Sequence, residues 1–283
     1  MIFRVVFLFL FLLIIEVYSF QVLKTLIKSK RVLFVIECVS LVFLSYIIYT
    51  VLQFDRSVGQ TQQLMSGMGL LLIIYVPKLI LTLVLLSEDI FRLGAGIVNY
   101  FVNRDKKEDF FASRRKFVSK VGLGIAAVPF LSLIYGVTVG KYNFKVIKQR
   151  IFFPDLPDAF DGFTITHISD VHSGSFDNAE KINYAIDLIN EQNSDMILFT
   201  GDIVNTAAKE MYPWLETFNR IKKHEYGKYS VLGNHDYGEY VTWPTEQAKE
   251  ANFEAIKNLY GQIGFKLMLN EHTFIEKGDD RIA

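Results

Sequence analysis

The sequence predicts an α-helical membrane bundle of about four transmembrane helices, followed by a separate α/β domain. Of the 283 residues, 51% are hydrophobic and 25 are Phe, which exceeds what a soluble domain of this size needs. Charge divides the chain as well, because residues 1–139 carry a surplus of seven basic residues and residues 140–283 a deficit of seven. We therefore assign residues 1–139 to the membrane and residues 140–283 to the second domain.

Four apolar stretches reach the length of about 20 residues that a helix needs to cross a bilayer. A buried core helix seldom runs so long without a polar stripe, so crossing is favoured over burial. Glu16 and Lys78, the latter directly after the kink-prone Pro77, fall at similar predicted depth, and we expect them to pair. The predicted helices cover residues 5–26, 32–54, 67–86 and 118–139.

Lys and Arg in the loops predict the orientation, because basic loops stay in the cytoplasm. The loops at 24–31 and 87–117 carry four and seven basic residues, whereas the loop at 53–66 carries only Arg56. The loops at 24–31 and 87–117 are therefore expected in the cytoplasm, and the fourth helix carries the second domain out of it.

One string in the third loop supports the same orientation. Residues 113–118, with the sequence SRRKFV, precede an apolar run and resemble a twin-arginine export signal. An ordinary basic cluster beside a helix is the alternative. No A-x-A cleavage pattern follows, so the helix is expected to stay as an anchor.

The cysteine and the histidines limit the kinds of functional site that the chain can form. Cys38 is the single cysteine and lies in an apolar run, which excludes a disulfide framework and a cysteine-rich zinc site. All five histidines lie after residue 140. The second half is acidic and lacks a basic stripe, so a nucleic-acid partner is not expected.

From residue 163, short apolar runs alternate with amphipathic stretches, a pattern typical of a parallel α/β sheet. Polar residues that follow such strands collect at one edge of the sheet, where open α/β folds place their sites. Strands are predicted at 163–169, 195–200, 228–232, 265–269 and 273–276, a turn at 278–279, and helices at 178–192, 207–223 and 245–263.

Carboxylate, imidazole and amide side chains follow three neighbouring predicted strands. Hard oxygen ligands mixed with imidazole suit Mn, Fe, Zn or Mg. A glycine stands before Asp202 and another before Asn234, which permits a sharp exit from each strand. The polar residues are Asp170 and His172 after the first strand, Asp202 and Asn205 after the second, and Asn234, His235 and Asp236 after the third.

These groups resemble the D-x-H, G-D-x-x-D/N and G-N-H-D/E motifs of the calcineurin-like metallophosphoesterase family, in its membrane-anchored bacterial branch. The resemblance covers about residue 143 to the end, and it implies a four-layer α/β/β/α sandwich and two divalent metal ions, Mn, Fe or Zn. It implies that Asp170 and His172 bind the first metal, that Asp202 bridges both, and that Asn234 binds the second. His235 would face the scissile phosphate, and Asn205 and Asp236 would support the site without binding metal; the side-chain amide of Asn205 could orient His235.

The resemblance also implies a reaction, the hydrolysis of a phosphate ester by in-line attack of a metal-bound hydroxide. A phosphodiester or a lipid-linked pyrophosphate is favoured, because membrane tethering raises the local concentration at the bilayer. The alternative is a membrane receptor or scaffold that has lost catalysis and binds a phosphorylated ligand.

Two departures from the family pattern restrict this expectation. Asn205 stands where many relatives have Asp, and the later histidine and G-H-x-H motif of the family do not occur in the 283 residues. We therefore expect a C-terminally truncated fragment with an incomplete sandwich and weak or no activity, placed in a bacterial cytoplasmic membrane. The remaining histidines, His167, His224 and His272, are interpreted as structural or surface residues.

Overall fold

The computed structural model describes residues 2–102 and 110–283 and divides the chain into two compact units. The first unit comprises residues up to Phe54 and Thr61–Lys141; the second comprises Tyr142–Ala283 together with Asp55–Gln60. Within the second unit, the carbonyl of Arg56 accepts a hydrogen bond from the N–H of Thr242 at 3.0 Å.

The first unit is built from four long helices, each long and apolar enough to cross a membrane. The hydroxyl of Ser29 accepts a hydrogen bond from the N–H of Val32 (3.4 Å) and so caps the start of the second helix. Helix α3 packs against the other three. The helices are α1 (Ile2–Leu26), α2 (Lys30–Leu52), α3 (Gln62–Val102) and α4 (Phe110–Thr138).

Most of the segment predicted as the loop 87–117 is helical. Helix α3 continues to Val102, and α4 already begins at Phe110. The apolar run ends at Leu86, but the polar residues that follow it are ordinary helix formers, and an isolated glycine such as Gly94 or Gly96 costs a helix only about 1 kcal/mol. Three basic residues of that loop, Arg104, Lys106 and Lys107, lie outside the described residues.

Glu16 and Lys78 pair inside the helical unit, as the sequence predicts. The ammonium nitrogen of Lys78 lies 2.7 and 2.6 Å from the two carboxylate oxygens of Glu16. Tyr75 donates a hydrogen bond to the same carboxylate at 3.1 Å, and Lys78 also donates to the hydroxyl of Ser40. The pair therefore joins α1, α2 and α3 through polar contacts.

A second polar cluster contains Arg115, one arginine of the SRRKFV string. Its guanidinium lies 2.7 Å from Glu88 Oε2, also pairs with Asp89, and donates to Gln21 Oε1 at 3.2 Å. Arg114 lies instead over the ring of Phe91, 4.0 Å from its centroid. Arg115 thus joins α4 to α3 and α1.

The second unit contains the parallel sheet that the sequence predicts. Its strands are β1 (Ile165–Ile168), β2 (Met196–Phe199), β3 (Lys228–Ser230) and β4 (Lys266–Leu267), paired in the order β1-β2-β3-β4. Two further strands, β5 (Ile275–Lys277) and β6 (Asp280–Ile282), form a separate antiparallel hairpin. Its turn passes through Gly278, which has a positive φ of 63°.

Helices α5 (Ala179–Glu191), α6 (Leu215–Asn219) and α7 (Glu246–Gln262) connect the strands. The side chains of Asn178 and Thr245 cap α5 and α7 by accepting from Lys181 N–H (3.0 Å) and Ala248 N–H (3.1 Å). The core lies between the helices and the sheet and includes Ile186 of α5, Ile197 and Phe199 of β2, and Ile256 and Tyr260 of α7.

The predicted helix at 207–223 is correct only for residues 215–219 and wrong on both sides of them. The structure has two 3-10 turns there, Ala208–Glu210 and Tyr212–Trp214, and only the five residues of α6 are α-helical. Pro213 explains the break, because proline lacks an N–H group and disfavours the α conformation in the residue before it.

Candidate metal centre

The predicted site residues follow β1, β2 and β3, which are adjacent parallel strands. Ile168 pairs with Phe199 and Phe199 with Ser230, so the three strands end side by side. The loops that leave them carry Asp170 and His172, then Asp202, then Asn234 and His235. The sheet thereby brings the carboxylate, imidazole and amide groups to one edge.

Three of these residues have a left-handed backbone conformation, with φ of 53° at Asp170, 46° at His172 and 57° at Asp202. Such a conformation costs a non-glycine residue about 1–3 kcal/mol and persists only where its surroundings hold it. Here the first two loops hold each other: Asp170 N–H donates to Gly201 O (3.2 Å), and His172 N–H donates to Asp202 O (2.9 Å).

Two glycines allow the loops after β2 and β3 to touch. A Cβ atom on Gly201, where φ is +90°, would lie 2.0 Å from the backbone nitrogen of Gly233. A Cβ atom on Gly233 would lie 2.2 Å from Asp202 Oδ1. The sequence predicts a sharp strand exit at these glycines, and the structure adds that they permit backbone contact between loops.

The side chains at this edge fit a divalent ion. His172 Nε2 lies 3.7 Å from Asp202 Oδ2 and 3.9 Å from Asp170 Oδ1. Ligand atoms of His172, Asp202 and His235 all lie within 4.8 Å of one another. Because metal–ligand bonds to N and O are about 2.0–2.2 Å long, two donors on one ion are at most about 4.4 Å apart, and both distances from His172 meet this limit. Asp170 is the most accessible of the group, with 68% of its side chain exposed.

His235 is oriented by main-chain groups. The backbone N–H of His235 donates to the carboxylate oxygen Oδ1 of Asp202 (2.7 Å), and its ring nitrogen Nδ1 lies 2.7 Å from the carbonyl oxygen of Asn205. A carbonyl only accepts, so Nδ1 carries the proton and Nε2 is the nitrogen left for chemistry. The side-chain amide of Asn205, which the sequence suggests for this role, donates instead to Ser175 Oγ at 3.0 Å.

Asp236 joins the second and third loops from beneath. It is fully buried, and its carboxylate accepts hydrogen bonds from four donors. Burial raises the pKa of this carboxyl, and the four hydrogen bonds act in the opposite direction. The donors are the N–H groups of Asp202 (2.9 Å), Ile203 (3.0 Å) and Gly233 (2.9 Å) and the hydroxyl of Tyr260 (2.7 Å).

Sequence reasoning missed two contributors to the site. Glu210 accepts hydrogen bonds from the N–H groups of Asn205 (2.6 Å) and Ala207 (3.0 Å), and so fixes the loop after β2. The sequence carries no capping-box signature there, because Ala207 stands three residues before Glu210 and has no side-chain oxygen. Tyr240 contacts both Asn234 and His235, and no sequence spacing marks it.

The other three histidines have contacts of their own. His167 Nε2 lies 2.8 Å from Thr200 Oγ1, and His224 Nδ1 lies 2.7 Å from the carbonyl of Ser194. His272 is exposed and packs edge-on against Phe274.

The sheet, the donor groups at its edge and the four apolar helices define the class: a metal-dependent phosphoesterase domain joined to a membrane domain. Residues 163–281 match the family model of the calcineurin-like phosphoesterases. Residues 1–141 match the model described as a probable calcineurin-like phosphoesterase, transmembrane domain. The chain therefore belongs to the calcineurin-like metallophosphoesterases that carry an N-terminal four-helix transmembrane domain.

Individual relatives agree with this assignment. The chain is 36% identical over 139 residues to the uncharacterized metallophosphoesterase YkuE of Bacillus subtilis, a match over 46% of this chain and 47% of the relative. It is 28% identical over 156 residues to YkoQ of the same species, a match over 54% and 53%. It is 25% identical over 153 residues to a transmembrane protein with metallophosphoesterase domain from Danio rerio, over 53% and 32%.

The chain thus spans about a third to a half of the length of these curated relatives. No solved structure matches it.

Proposed function

We propose that this chain forms the site of a membrane-anchored phosphoesterase that uses two divalent metal ions, Mn, Fe or Zn, and hydrolyses a phosphodiester or a lipid-linked pyrophosphate. One observation carries the proposal: His172 Nε2 lies 3.7 Å from Asp202 Oδ2 and 3.9 Å from Asp170 Oδ1, and a ring nitrogen of His235 lies within 4.8 Å of the ligand atoms of His172 and Asp202. Carboxylate and imidazole donors at such a spacing suit these metals.

Each side chain has a distinct task in the proposal. Asp170 and His172 hold the first metal, Asp202 serves both, and Asn234 holds the second through its amide oxygen. Asp202 Oδ1 accepts the N–H of His235, so Oδ2, on the side of His172, is the oxygen for the metals. When bound, the two ions lower the pKa of water and stabilise charge on the phosphoryl oxygens.

His235 acts on the phosphate. Its Nδ1–H donates to the carbonyl of Asn205, so donation to a phosphoryl oxygen or to the leaving oxygen needs a second proton, which Nε2 carries in the imidazolium form. A ring nitrogen of His235 lies within 4.8 Å of the ligand atoms of His172 and Asp202, so direct binding of metal by His235 is the alternative role. The two roles differ in their consequence for metal binding.

Metal content and activity separate these possibilities. The natural full-length gene product, this 283-residue chain and two variants, Asp202→Asn and His235→Gln, are purified and their metal content and hydrolysis of an aryl phosphodiester are measured. Asp202→Asn should lose metal and turnover together. His235→Gln should keep the metals and lose turnover by at least about 100-fold.

Other outcomes count against the proposal. Loss of metal in His235→Gln would make His235 a ligand. A full-length protein that is metal-free and inactive would contradict the enzyme altogether and favour the receptor or scaffold that binds a phosphorylated ligand. The expectation that the 283-residue chain turns over weakly by itself is tested by the same comparison.

The membrane region supports the choice of substrate, because an anchor of four apolar helices tethers the domain and raises its effective concentration toward lipid-linked esters. We further propose that the catalytic domain lies outside the cytoplasm and that the SRRKFV string contributes to its export. Loop charge supports the first statement, and the resemblance to a twin-arginine signal supports the second.

A further inference from the structure

Tyr240 lies in the turn that follows the Asn234-His235 pair and contacts both residues. Its hydroxyl oxygen accepts a hydrogen bond from Asn234 Nδ2 at 2.7 Å. Its ring stacks on the imidazole of His235, with centroids 4.2 Å apart and planes at 19°. No other aromatic residue among those described stacks on His235, whose second ring contact, with His172, is edge-on at 89°.

The turn itself is held in place. Trp243 Nε1 donates to the carbonyl of Gly238 at 2.8 Å and closes the segment that carries Tyr240. Gly238 has a positive φ of 67°, which allows the chain to reverse directly after the 3-10 turn His235–Tyr237. Half of Tyr240 is nevertheless exposed, so its position does not depend on a place in the core.

The hydrogen bond determines which end of the Asn234 side chain is available. An amide has one accepting oxygen and one donating nitrogen, and only the oxygen binds a hard metal ion. A partner that accepts from the nitrogen therefore leaves the oxygen for the metal. Tyr240 supplies that acceptor, as a residue outside the first coordination shell commonly does for a metal ligand.

We propose that Tyr240 is a positioning residue of the metallophosphoesterase site, and this inference rests on the proposed function. Its hydroxyl directs the Asn234 amide oxygen toward the second metal, and its ring fixes the plane of the His235 imidazole. The two contacts are separable, because phenylalanine keeps the ring and loses the hydroxyl, whereas leucine loses both.

The chain offers a matched control in Tyr237. It lies three residues earlier, is exposed to a similar extent (47% against 50%), and stacks on Phe253 with centroids 5.3 Å apart. Tyr237→Phe and Tyr237→Leu therefore report the effect of the same chemical changes on a neighbouring exposed tyrosine.

The test measures Mn²⁺ affinity by isothermal titration calorimetry in detergent, and kcat and KM at saturating Mn²⁺ in the full-length protein. Tyr240→Phe should weaken Mn²⁺ binding by about 10-fold and lower kcat at saturating metal less than Tyr240→Leu does. Tyr240→Leu should weaken binding by a similar factor and also lower kcat by about 10-fold or more, with KM little changed. Both Tyr237 variants should match the wild type.

Equal Mn²⁺ affinity in the wild type and Tyr240→Phe would overturn the role of the hydroxyl, and equal kcat in Tyr240→Phe and Tyr240→Leu would overturn the role of the ring. Failure of the proposed function looks different, since the wild type itself would then bind no Mn²⁺ or would bind it as well as Asp202→Asn does.

Discussion

Single residues of the candidate site are held in conformations that their own chemistry disfavours. Asp170, His172 and Asp202 all have positive φ, in a region that aspartate and histidine occupy at a cost. That cost is offset by hydrogen bonds between the loops, which fix the direction of each side chain before any ligand arrives. Ordering these donors in advance reduces what metal binding must supply.

Close contact between the two glycines leads to the first prediction. Gly201→Ala or Gly233→Ala should separate the loops after β2 and β3, lower the free energy of unfolding by about 1–3 kcal/mol and weaken Mn²⁺ binding by at least about 10-fold. Chemical denaturation and calorimetry measure the two effects.

Gly261→Ala is the control for these substitutions. Gly261 lies in α7, and a Cβ atom there would have no neighbour within 4 Å. This variant should bind metal normally and be as stable as the wild type or more so by up to about 1 kcal/mol. Normal Mn²⁺ affinity in Gly201→Ala would show that the loop contact is not needed for the site.

The helices of the membrane unit are joined by polar groups whose burial without a partner would destabilise the unit. Glu16 is 6% exposed, and lipid-facing apolar residues surround the helices. Burying one unpaired charge costs far more than burying a hydrogen-bonded pair, so Glu16 and Lys78 depend on each other.

A double-mutant cycle on Glu16→Gln and Lys78→Met should therefore show coupling of about 1–3 kcal/mol in the unfolding of the solubilised protein. Each single substitution leaves one charge or polar group unpaired. The double variant should therefore be more stable than the sum of the two single effects predicts. Glu37→Gln is the control, since Glu37 is exposed on α2 and should not couple to Lys78. Purely additive effects of Glu16 and Lys78 would argue against the pair.

The two arginines of the SRRKFV string differ in their surroundings, which makes a second test at the level of helices. Arg115 pairs with Glu88 and Asp89, and lysine cannot reproduce a guanidinium that reaches several acceptors. Arg115→Lys should thus lower the stability of the membrane unit by about 1–3 kcal/mol, whereas Arg114→Lys should have a smaller effect.

The two arginine substitutions should affect export differently from the way they affect stability. A signal that is read as an arginine pair depends on both residues, so delivery of the second domain across the membrane should fall in both variants. Delivery that falls only in Arg115→Lys would assign the string a structural role instead. Fractionation of cells with a protease-accessibility assay measures delivery.

The orientation of the whole molecule is a prediction from loop charge. In a Cys38→Ser background, single cysteines replace Lys28 in the first loop, Val58 in the second and Tyr184 in the catalytic domain. Intact cells are then treated with a membrane-impermeant maleimide. Val58→Cys and Tyr184→Cys should react, and Lys28→Cys should react only after permeabilisation.

The reverse labelling would place the site in the cytoplasm. The proposed substrate would then change to a pyrophosphate available there, with the chemistry of the site unchanged. All three positions are at exposed or partly exposed surface, so labelling reports on the side of the membrane rather than on burial.

Much of the molecule was predictable because its signals are local. Four apolar runs give four helices, and alternating apolar and amphipathic stretches give the parallel sheet. The errors concern where helices end, because side-chain polarity alone does not end a helix. Helix α3 continues past Leu86 although the apolar run stops there. The helix predicted at 207–223 is interrupted by Pro213.

For the candidate site too, some features could be predicted from the sequence and others could not. Motif spacing predicts Asp170, His172, Asp202, Asn234 and His235 as site residues, and the structure brings the loops that carry them to one edge of the sheet. Spacing could not reveal that Asn205 uses its carbonyl, that Glu210 fixes a loop, or that Tyr240 contacts Asn234, because these contacts depend on how loops fold in three dimensions.

Asp236 has a consequence for how the protein is supplied with metal. The carboxylate ties two of the three donor-bearing loops together through bonds between protein groups alone, so the frame of the site does not require an ion to form. A chelator should then strip the metals without unfolding the domain, and exchange of one divalent ion for another should be rapid and reversible. Because carboxylate, imidazole and amide donors suit several divalent ions, the supply of each ion in the cell contributes to which one such a frame carries.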